Sequence, residues 1–444
     1  MSHQRPDARP SAALIRRLQD LKPAVIDLSL DRVRALLETL GNPQRTLPPV
    51  AHIAGTNGKG STLAFARAFL EAEGLRVHAY TSPHLCRFNE RIVVAGSIIS
   101  DADLAECLDA VLIANTRGDI TFFEATTAAA LLAFARTPAD VTLLETGLGG
   151  RLDATNVVDR PAVTAITPIG FDHTAFLGTT LAAIAGEKAG ILKPGCPVII
   201  GPQLEEALTV LTARAAEVGA PASVHGVDWS LTDPEAPGAP AILQTQRRAC
   251  GPVDRAFVPT KALPGAHQRL NAAMGALIAD HLRPRPLSAD TIARGMDAAA
   301  WPGRLQRLGP GPVTRSMPDT EIWVDAAHNE DGGRVLSAFL DTLPPVPTAL
   351  AFGMYQGKNA DAFLGYFAGR VSRVIAMAVD GEQAAQPAPD IATSARAAGI
   401  DAVIADRPES LQHLLAAGGE RRLIIAGSLA LIGRILAANN QCPT

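Results

Sequence analysis

Cysteine is scarce, odd in number and without pattern. The five residues, Cys86, Cys107, Cys196, Cys250 and Cys442, form no Cys-x-x-Cys pair. Their spacing supports neither a disulfide framework nor a zinc site, and a reduced, cytoplasmic setting is the simplest expectation. Basic charge is not in excess either. Forty Lys and Arg stand against 44 Asp and Glu, for a net charge of −4. That balance offers no electrostatic case for nucleic acid or an anionic membrane surface as partner. Long apolar runs are missing. The longest apolar-leaning window, Ala125–Ala135, is broken by threonines and is too short to span a bilayer. Met1–Pro10 carries Arg5, Asp7, Arg9 and two prolines; no apolar core comes after it, so no targeting segment is expected. There is no internal repeat, coiled coil or low-complexity tract beyond a general richness in alanine.

What is present is a chain of 444 residues, 47% hydrophobic, which is too long for one ordinary core. Strand-like and helix-like segments alternate, which predicts α/β layers around a largely parallel sheet. Strands are expected at Val50–Ala54, Val77–Tyr80, Val141–Leu144 and Ala162–Thr167. Helices are expected from Leu63 to Gly74, over Thr126–Ala135 and over Thr179–Ala189. Residues 222–262, punctuated by Pro234, Pro237, Pro240, Pro252 and Pro259, read as a small irregular β insertion. A helix is expected over His267–His281. A second α/β run comes next, with strands at Ile322–Val324, Thr348–Phe352, Val374–Ala378, Ala402–Ile404 and Leu423–Ala426. The expected fold is α/β: an N-terminal P-loop-type, mostly parallel sheet domain (1–299) carrying the insertion, then a smaller Rossmann-like α/β domain (300–444).

The most informative stretch is Gly55-Thr56-Asn57-Gly58-Lys59-Gly60-Ser61-Thr62, between the first strand and a helix. Glycines let a backbone turn tightly and aim its N–H groups at a phosphate, and the next helix adds the positive end of its dipole. Lys59 supplies a cation for the outer phosphates, and Ser61 or Thr62 a hydroxyl for Mg²⁺. Only two residues separate Gly55 from Gly58-Lys59, so this is not a strict Walker A loop. On this stretch alone the reading is a nucleotide phosphate site.

In open α/β sheets ligands gather beyond the carboxyl ends of the strands. Ser82, Glu145 and His173 fall at such positions, and together they could form a magnesium site, although histidine is a less usual ligand for that ion. Glu145 through Asn156 is dense in glycine and charge, with Arg151 offering a planar fork for carboxylate or phosphate. Lys188, near a helix end, reads by itself as a surface lysine beside a helix C-terminus. In the second half, Arg304 sits at the expected domain junction, and Asp325, His328 and Ser428 come just after strands. A Ser-His-Asp hydrolase is disfavoured: no Gly-x-Ser-x-Gly surrounds Ser428, and Asp325 lies only three residues from His328.

As an ordered set these stretches resemble the folylpolyglutamate synthase family, in particular its bacterial bifunctional dihydrofolate synthase/folylpolyglutamate synthases, within the Mur ligase superfamily. The matching residues are His52–Thr62, Thr81–Leu85, Phe88–Ile92, Phe122-Phe123-Glu124, Glu145–Asn156, Asp172-His173, Glu187–Ile191, His267-Gln268 with Asn271, Trp301–Arg304 and Asp325–Asn329. The resemblance runs from about Ile26 to Ser428.

It implies an ATP-dependent ligase that joins L-glutamate to dihydropteroate or folates through an acyl phosphate, with Mg²⁺ as cofactor, small molecules as its only partners, and a monomeric chain. It implies ATP contacts at Thr56, Asn57, Gly58, Lys59, Gly60, Ser61, Thr62, Asn271, Arg304 and Asp325. Ser61 and Glu145 would hold one metal, and Ser82, Glu145 and His173 a second. Lys188 matches a lysine carbamylated in this superfamily, which would turn a cation into an anion that positions metal. Asp31, Phe122, Phe123, Arg151, Leu152, Asp153 and Ala154 match the pterin and folate region, and His328 and Ser428 the glutamate site. The residues expected to carry the reaction are Lys59, Glu145, His173, Lys188, Asp325 and His328. Two positions depart from the family pattern: Ala326 and Ser29 stand where glycine is usual. Alternatives are a cell-wall Mur ligase, disfavoured by Gly60 and by Phe122-Phe123-Glu124, and a regulatory ATP-binding switch without ligase activity.

Overall fold

The computed structural model describes residues 9–20, 29–232, 239–245, 255–257, 263–379, 385–405 and 410–443. Ile26–Leu28, Cys250 and the prolines 234, 237, 252 and 259 lie outside the described residues.

The first lobe is built on eight strands: β1 (Val50–Ala54), β2 (Val77–Tyr80), β3 (Ile92–Val94), β4 (Ser97–Ile98), β5 (Val141–Glu145), β6 (Val163–Ile166), β7 (Val198–Ile200) and β8 (Ala222–Val224). Their order is β4-β3-β2-β5-β1-β6-β7-β8, parallel except at the β2–β3–β4 edge. Every residue of β1 and β5 is buried, as expected where helices cover both faces of a parallel sheet. Residues 222–224, expected to open the insertion, instead pair parallel with β7 and extend the main sheet. The insertion is a three-stranded antiparallel sheet of β9 (Trp229–Leu231), β10 (Ala241–Thr245) and β11 (Arg255–Phe257). It is fastened by a buried ion pair, Arg255 Nη2 to Asp280 Oδ2 at 2.7 Å.

The second lobe carries β12 (Gln306–Arg307), β13 (Glu321–Val324), β14 (Thr348–Phe352), β15 (Arg373–Met377), β16 (Asp401–Ala405) and β17 (Arg422–Ala426). They run in the order β12-β13-β17-β14-β15-β16, parallel but for β12. Both lobes therefore have the expected α/β architecture.

Helix boundaries differ from expectation where caps decide them. The helix expected from Thr126 begins at Phe122. Thr121 accepts from the Glu124 N–H, and the Glu124 side chain accepts from the Thr121 N–H, a reciprocal pair that satisfies two otherwise orphaned donors. The helix expected from Thr179 begins at Leu181, because the Thr180 hydroxyl caps it.

Strand register places the site. Ile53 pairs with Glu145 and Ala54 with Ile166, so the segments leaving β1, β5 and β6 emerge side by side. Val324 pairs with Ile425 and Phe352 with Ala426, so the same holds for those leaving β13, β17 and β14. The helix after the glycine loop, Lys59–Ala72, packs on helix Ala266–His281 through Gly275. A Cβ at Gly275 would lie 2.8 Å from the Ala66 nitrogen and 3.0 Å from the Thr62 oxygen. Gly275→Ala is expected to destabilise the protein, because overpacking against a backbone costs about 1–3 kcal/mol and exceeds the roughly 1 kcal/mol that alanine adds in a helix. Thermal or urea unfolding equal to the parent's would show that the two helices can part without cost.

Candidate active site

The carboxyl edges of the two large sheets line one cleft of about 1520 Å³. Its walls include Thr56–Ser61, Ser82, Phe122, Phe123, Glu145, Leu152–Ala154, His173, Lys188, Asn271, Arg304, Asp325, His328 and Ser428. Three of the sequence-derived candidates stand off it. Asp31 is exposed at the start of its helix, although its neighbours Ser29 and Arg32 line the cleft. Arg151 is exposed, and its fork is spent on Glu187, with Nε at 3.1 Å and Nη2 at 2.8 Å from Oε1. Thr62 is fully buried and donates to Asn271 Oδ1 at 3.4 Å.

Gly58 caps the Lys59–Ala72 helix in a left-handed conformation, φ 88°. A Cβ there would meet Asn271 Oδ1 at 2.6 Å, so glycine is required both by the turn and by the approach of helix Ala266–His281. Lys59 Nζ donates to the carbonyl of Gly55 at 3.2 Å and of Thr56 at 3.4 Å. Lys188 Nζ reaches the same Gly55 carbonyl at 2.8 Å. The surface-lysine reading of Lys188 does not hold: the residue is 4% exposed. Burial, and then the charge of Lys59, push its pKa down to about 7. An amine so depressed is partly neutral and nucleophilic at physiological pH.

Glu145 is buried beside this pair. Its Oε1 lies 3.9 Å from Lys59 Nζ, and its Oε2 accepts from the Ser82 N–H at 3.3 Å. Burial raises its pKa, against the pull of Lys59 and the Ser82 N–H. His173 takes a left-handed backbone, φ 51°, at the start of a short helix; its side chain is 42% exposed, and partial desolvation at the cleft wall lowers its pKa, which favours a neutral ring. Among the described residues no three His, Cys, Asp or Glu are grouped to hold a metal by themselves. The donors present nonetheless fit a hard divalent cation completed by phosphate and water. They are a desolvated carboxylate at Glu145, hydroxyls at Ser61 and Ser82, and one neutral imidazole.

Asp153 organises the glycine-rich loop from within. Its Oδ2 accepts from the Gly147 and Leu148 N–H groups, both at 2.8 Å. Phe122 packs edge-on to Phe88, and the Arg91 guanidinium lies 5.0 Å from the Phe88 ring centre and 5.7 Å from that of Phe122. Arg91 Nε donates to His84 Nδ1 at 3.0 Å, which fits an imidazole kept neutral by burial, its pKa lowered to about 4.

The second lobe contributes Asp325, whose oxygens accept from the Leu305 and Ala327 N–H groups, each at 2.7 Å. His328 Nδ1 donates to the Ala326 carbonyl at 2.8 Å, leaving Nε2 3.5 Å from Asp172 Oδ2. Ser428 caps helix Leu429–Ala438, accepting from the Leu431 N–H at 3.1 Å.

Sequence reasoning overlooked the junction between the lobes. Asp172 bonds Lys358 and faces His328, while Asn329 Nδ2 donates to Asn57 Oδ1 at 3.0 Å. Burial opposes ionisation of Asp172, but the His328 hydrogen bond and the Lys358 ammonium hold its carboxyl well below the usual range. Lys358 carries no local motif; the one available signal is its place beyond the carboxyl end of β14. Because the folded pKa is depressed, the stabilisation exists above the unfolded value of about 3.9 and fades as pH falls through the lower folded value. Asp172→Asn is therefore expected to cost about 1–3 kcal/mol near neutrality, with the difference closing below pH 4. Unfolding curves that differ equally at pH 7 and pH 3 would assign the cost to something other than this charge.

No family model matches the chain. It is 38% identical over 315 residues to the dihydrofolate synthase/folylpolyglutamate synthase of Bacillus subtilis (strain 168), covering 68% of this chain and 70% of that one. It is 33% identical over 419 residues to the folylpolyglutamate synthase of Lacticaseibacillus casei, covering 91% and 92%. Among solved structures, E. coli FolC in complex with DHPP and ADP superposes with a TM-score of 0.85 at 27% identity, covering 98% of this chain and 99% of that one. Mycobacterium tuberculosis folylpolyglutamate synthase complexed with ADP gives 0.85 at 29% identity, covering 98% and 100%. With a glycine loop, a buried carboxylate and two lobes closing on one cleft, the chain belongs to the dihydrofolate synthase/folylpolyglutamate synthase family of ATP-dependent ligases.

Proposed function

We propose that this chain joins L-glutamate to dihydropteroate, to reduced folates, or to both, at the expense of ATP. The observation that carries the reading is the convergence of the Lys59 and Lys188 amino groups on one carbonyl, that of Gly55, beside the buried Glu145 carboxylate. Such a cluster calls for anions. A carboxylate is a poor electrophile; taking the γ-phosphoryl of ATP makes one of its oxygens a good leaving group, and the amine of glutamate then displaces phosphate. Charge moves along the phosphoryl path, so fixed cations in a water-poor cleft are the main catalytic resource.

Lys59 and the loop N–H groups would hold the outer phosphates, with Asn271, Arg304 and Asp325 on the nucleotide from either side. Ser61, Ser82, Glu145 and His173 would hold Mg²⁺, which would screen the phosphate charges when bound. The neutral amine of Lys188 can attack CO₂ and lose a proton, giving a carbamate. Phe122, Phe123, Leu152 and Ala154 offer an apolar slot for a planar heterocycle, and His328 and Ser428 present polar groups to the incoming glutamate. Support for a division into 1–299 and 300–444 comes from the element order: the last helix packed on the first lobe ends at Ala298, and the second sheet begins at Gln306. One chain supplies both walls of the cleft, which supports action as a monomer. Among the described residues no helix is long and apolar enough to cross a membrane, in keeping with a cytoplasmic setting.

A substrate panel tests the reading. Dihydropteroate, tetrahydrofolate and its mono- and polyglutamates are each supplied with ATP, Mg²⁺ and glutamate. Glutamate-dependent ADP release is expected with at least one acceptor; none with any acceptor removes the proposal. Glu145→Gln is expected to lower turnover more than 100-fold while circular dichroism stays that of the parent, and a near-normal rate would count against the metal site. Lys188→Ala is expected to lose activity and to regain part of it with added short carboxylic acids. An unaffected Lys188→Ala rate would leave this lysine a structural role only.

A further inference from the structure

The expectation of no disulfide is overturned at one pair. Cys86 and Cys442, separated by 356 residues in sequence, are joined by a disulfide with their Cα atoms 5.8 Å apart. No spacing rule could have found it, because the pair is created by the docking of one lobe on the other. Cys86 lies in the loop after β2, four residues beyond Ser82. Leu85 and Cys86 pack into the apolar core of the second lobe. Helix Leu429–Ala438 receives them so closely that a Cβ at Gly433 would lie 2.0 Å from the Leu85 oxygen. Cys442 lies just beyond that helix, and Arg87 Nη2 donates to the neighbouring Pro443 carbonyl at 2.7 Å. One end of the disulfide is thus in the loop that carries Ser82, and the other lies past the helix that begins at Ser428. Both sulfur-bearing residues are partly exposed, whereas Cys107 and Cys196 are free and buried.

The lobes are also joined by non-covalent contacts, Asp172 with Lys358 and Asn57 with Asn329. Those contacts can break and reform in each catalytic cycle. A disulfide holds two Cα atoms within about 7 Å, so opening of the cleft can only pivot about it. Where product release needs the lobes to part, such a tether limits turnover.

We propose that Cys86 and Cys442 form a reversible thiol–disulfide modification site that sets how far the cleft opens; the effect on turnover rests on the ligase reading above. Oxidation proceeds by exchange with a low-molecular-weight disulfide such as oxidised glutathione. One cysteine thiolate attacks a sulfur of that disulfide and releases one thiol. The other cysteine attacks the resulting mixed disulfide and releases the second. The two protein thiols lose two electrons and two protons, and the two released thiols gain them. In a thiol-rich compartment the pair is open and the enzyme runs; oxidation slows it.

The test uses the full chain equilibrated with dithiothreitol or with oxidised glutathione. Peptide mass mapping is expected to show the Cys86–Cys442 linkage only after oxidation. The kcat for ADP release is expected to fall at least threefold on oxidation and to recover with dithiothreitol, while Cys442→Ser keeps the reduced rate under both conditions. Absence of the linkage, a linkage with unchanged kcat, or sensitivity retained in Cys442→Ser each overturns the proposal. Small-angle X-ray scattering reads the tether without turnover, and a broader distribution of sizes is expected on reduction. If the reduced chain releases no ADP with any acceptor, the ligase reading fails alone; identical scattering profiles then overturn the tether.

Discussion

Two lysine side chains, one half-buried and one buried, share one backbone oxygen. Lys59, at the start of a helix, and Lys188, near the end of another, both donate to the Gly55 carbonyl. Burial first, and then the nearby Lys59 charge, depress the pKa of Lys188, because a charge in a low-dielectric interior is costly and a like charge beside it adds to the cost. The nearby Glu145 carboxylate relieves this only in part, at 3.9 Å from Lys59. The first lobe therefore holds a site whose electrostatics are completed by an arriving anion. Under the proposed function, phosphate at Lys59 and a carbamate on Lys188 would complete it.

The second constraint is the cleft itself. Neither lobe presents a complete set of polar groups. The first supplies cations, hydroxyls and the aromatic slot; the second supplies Asp325, His328, Lys358 and Ser428. Asp172 holds the two together. It belongs to the first lobe, yet its partners Lys358 and His328 belong to the second. Its lowered pKa keeps it a carboxylate facing Lys358 at neutral pH. The lobes are also joined through the loop 82–91, whose Leu85 and Cys86 pack against the second lobe's core. That loop also carries Ser82, so the geometry near Glu145 and the spacing of the lobes are mechanically linked.

Much of this organisation is legible in the residues. Runs such as Val50–Ala54 and Thr348–Phe352 declare fully buried parallel strands, because both faces need apolar side chains. Gly58-Lys59 declares a glycine turn into a helix start. Glu145, His173, Asp325 and Ser428 are found by looking for polar side chains at the carboxyl ends of strands. Errors arise where local pattern and tertiary partner disagree. Arg151 reads as a ligand fork, but Glu187 occupies it. Lys188 reads as a helix-end cation, but it points into the interior. The first strand of the presumed insertion reads as irregular β, but β7 recruits it to the main sheet.

Periodicity and backbone freedom act over a few positions, and they are enough to set the α/β layering, the glycine turn and the residue types available for chemistry. All three are therefore written in the chain itself. Which of those residues meet is a tertiary matter. Asp172 with Lys358, Lys188 with Gly55 and Cys86 with Cys442 are encounters across 186, 133 and 356 positions of chain. They are set by strand register and by the docking of one lobe on the other, and neither leaves a mark on local spacing.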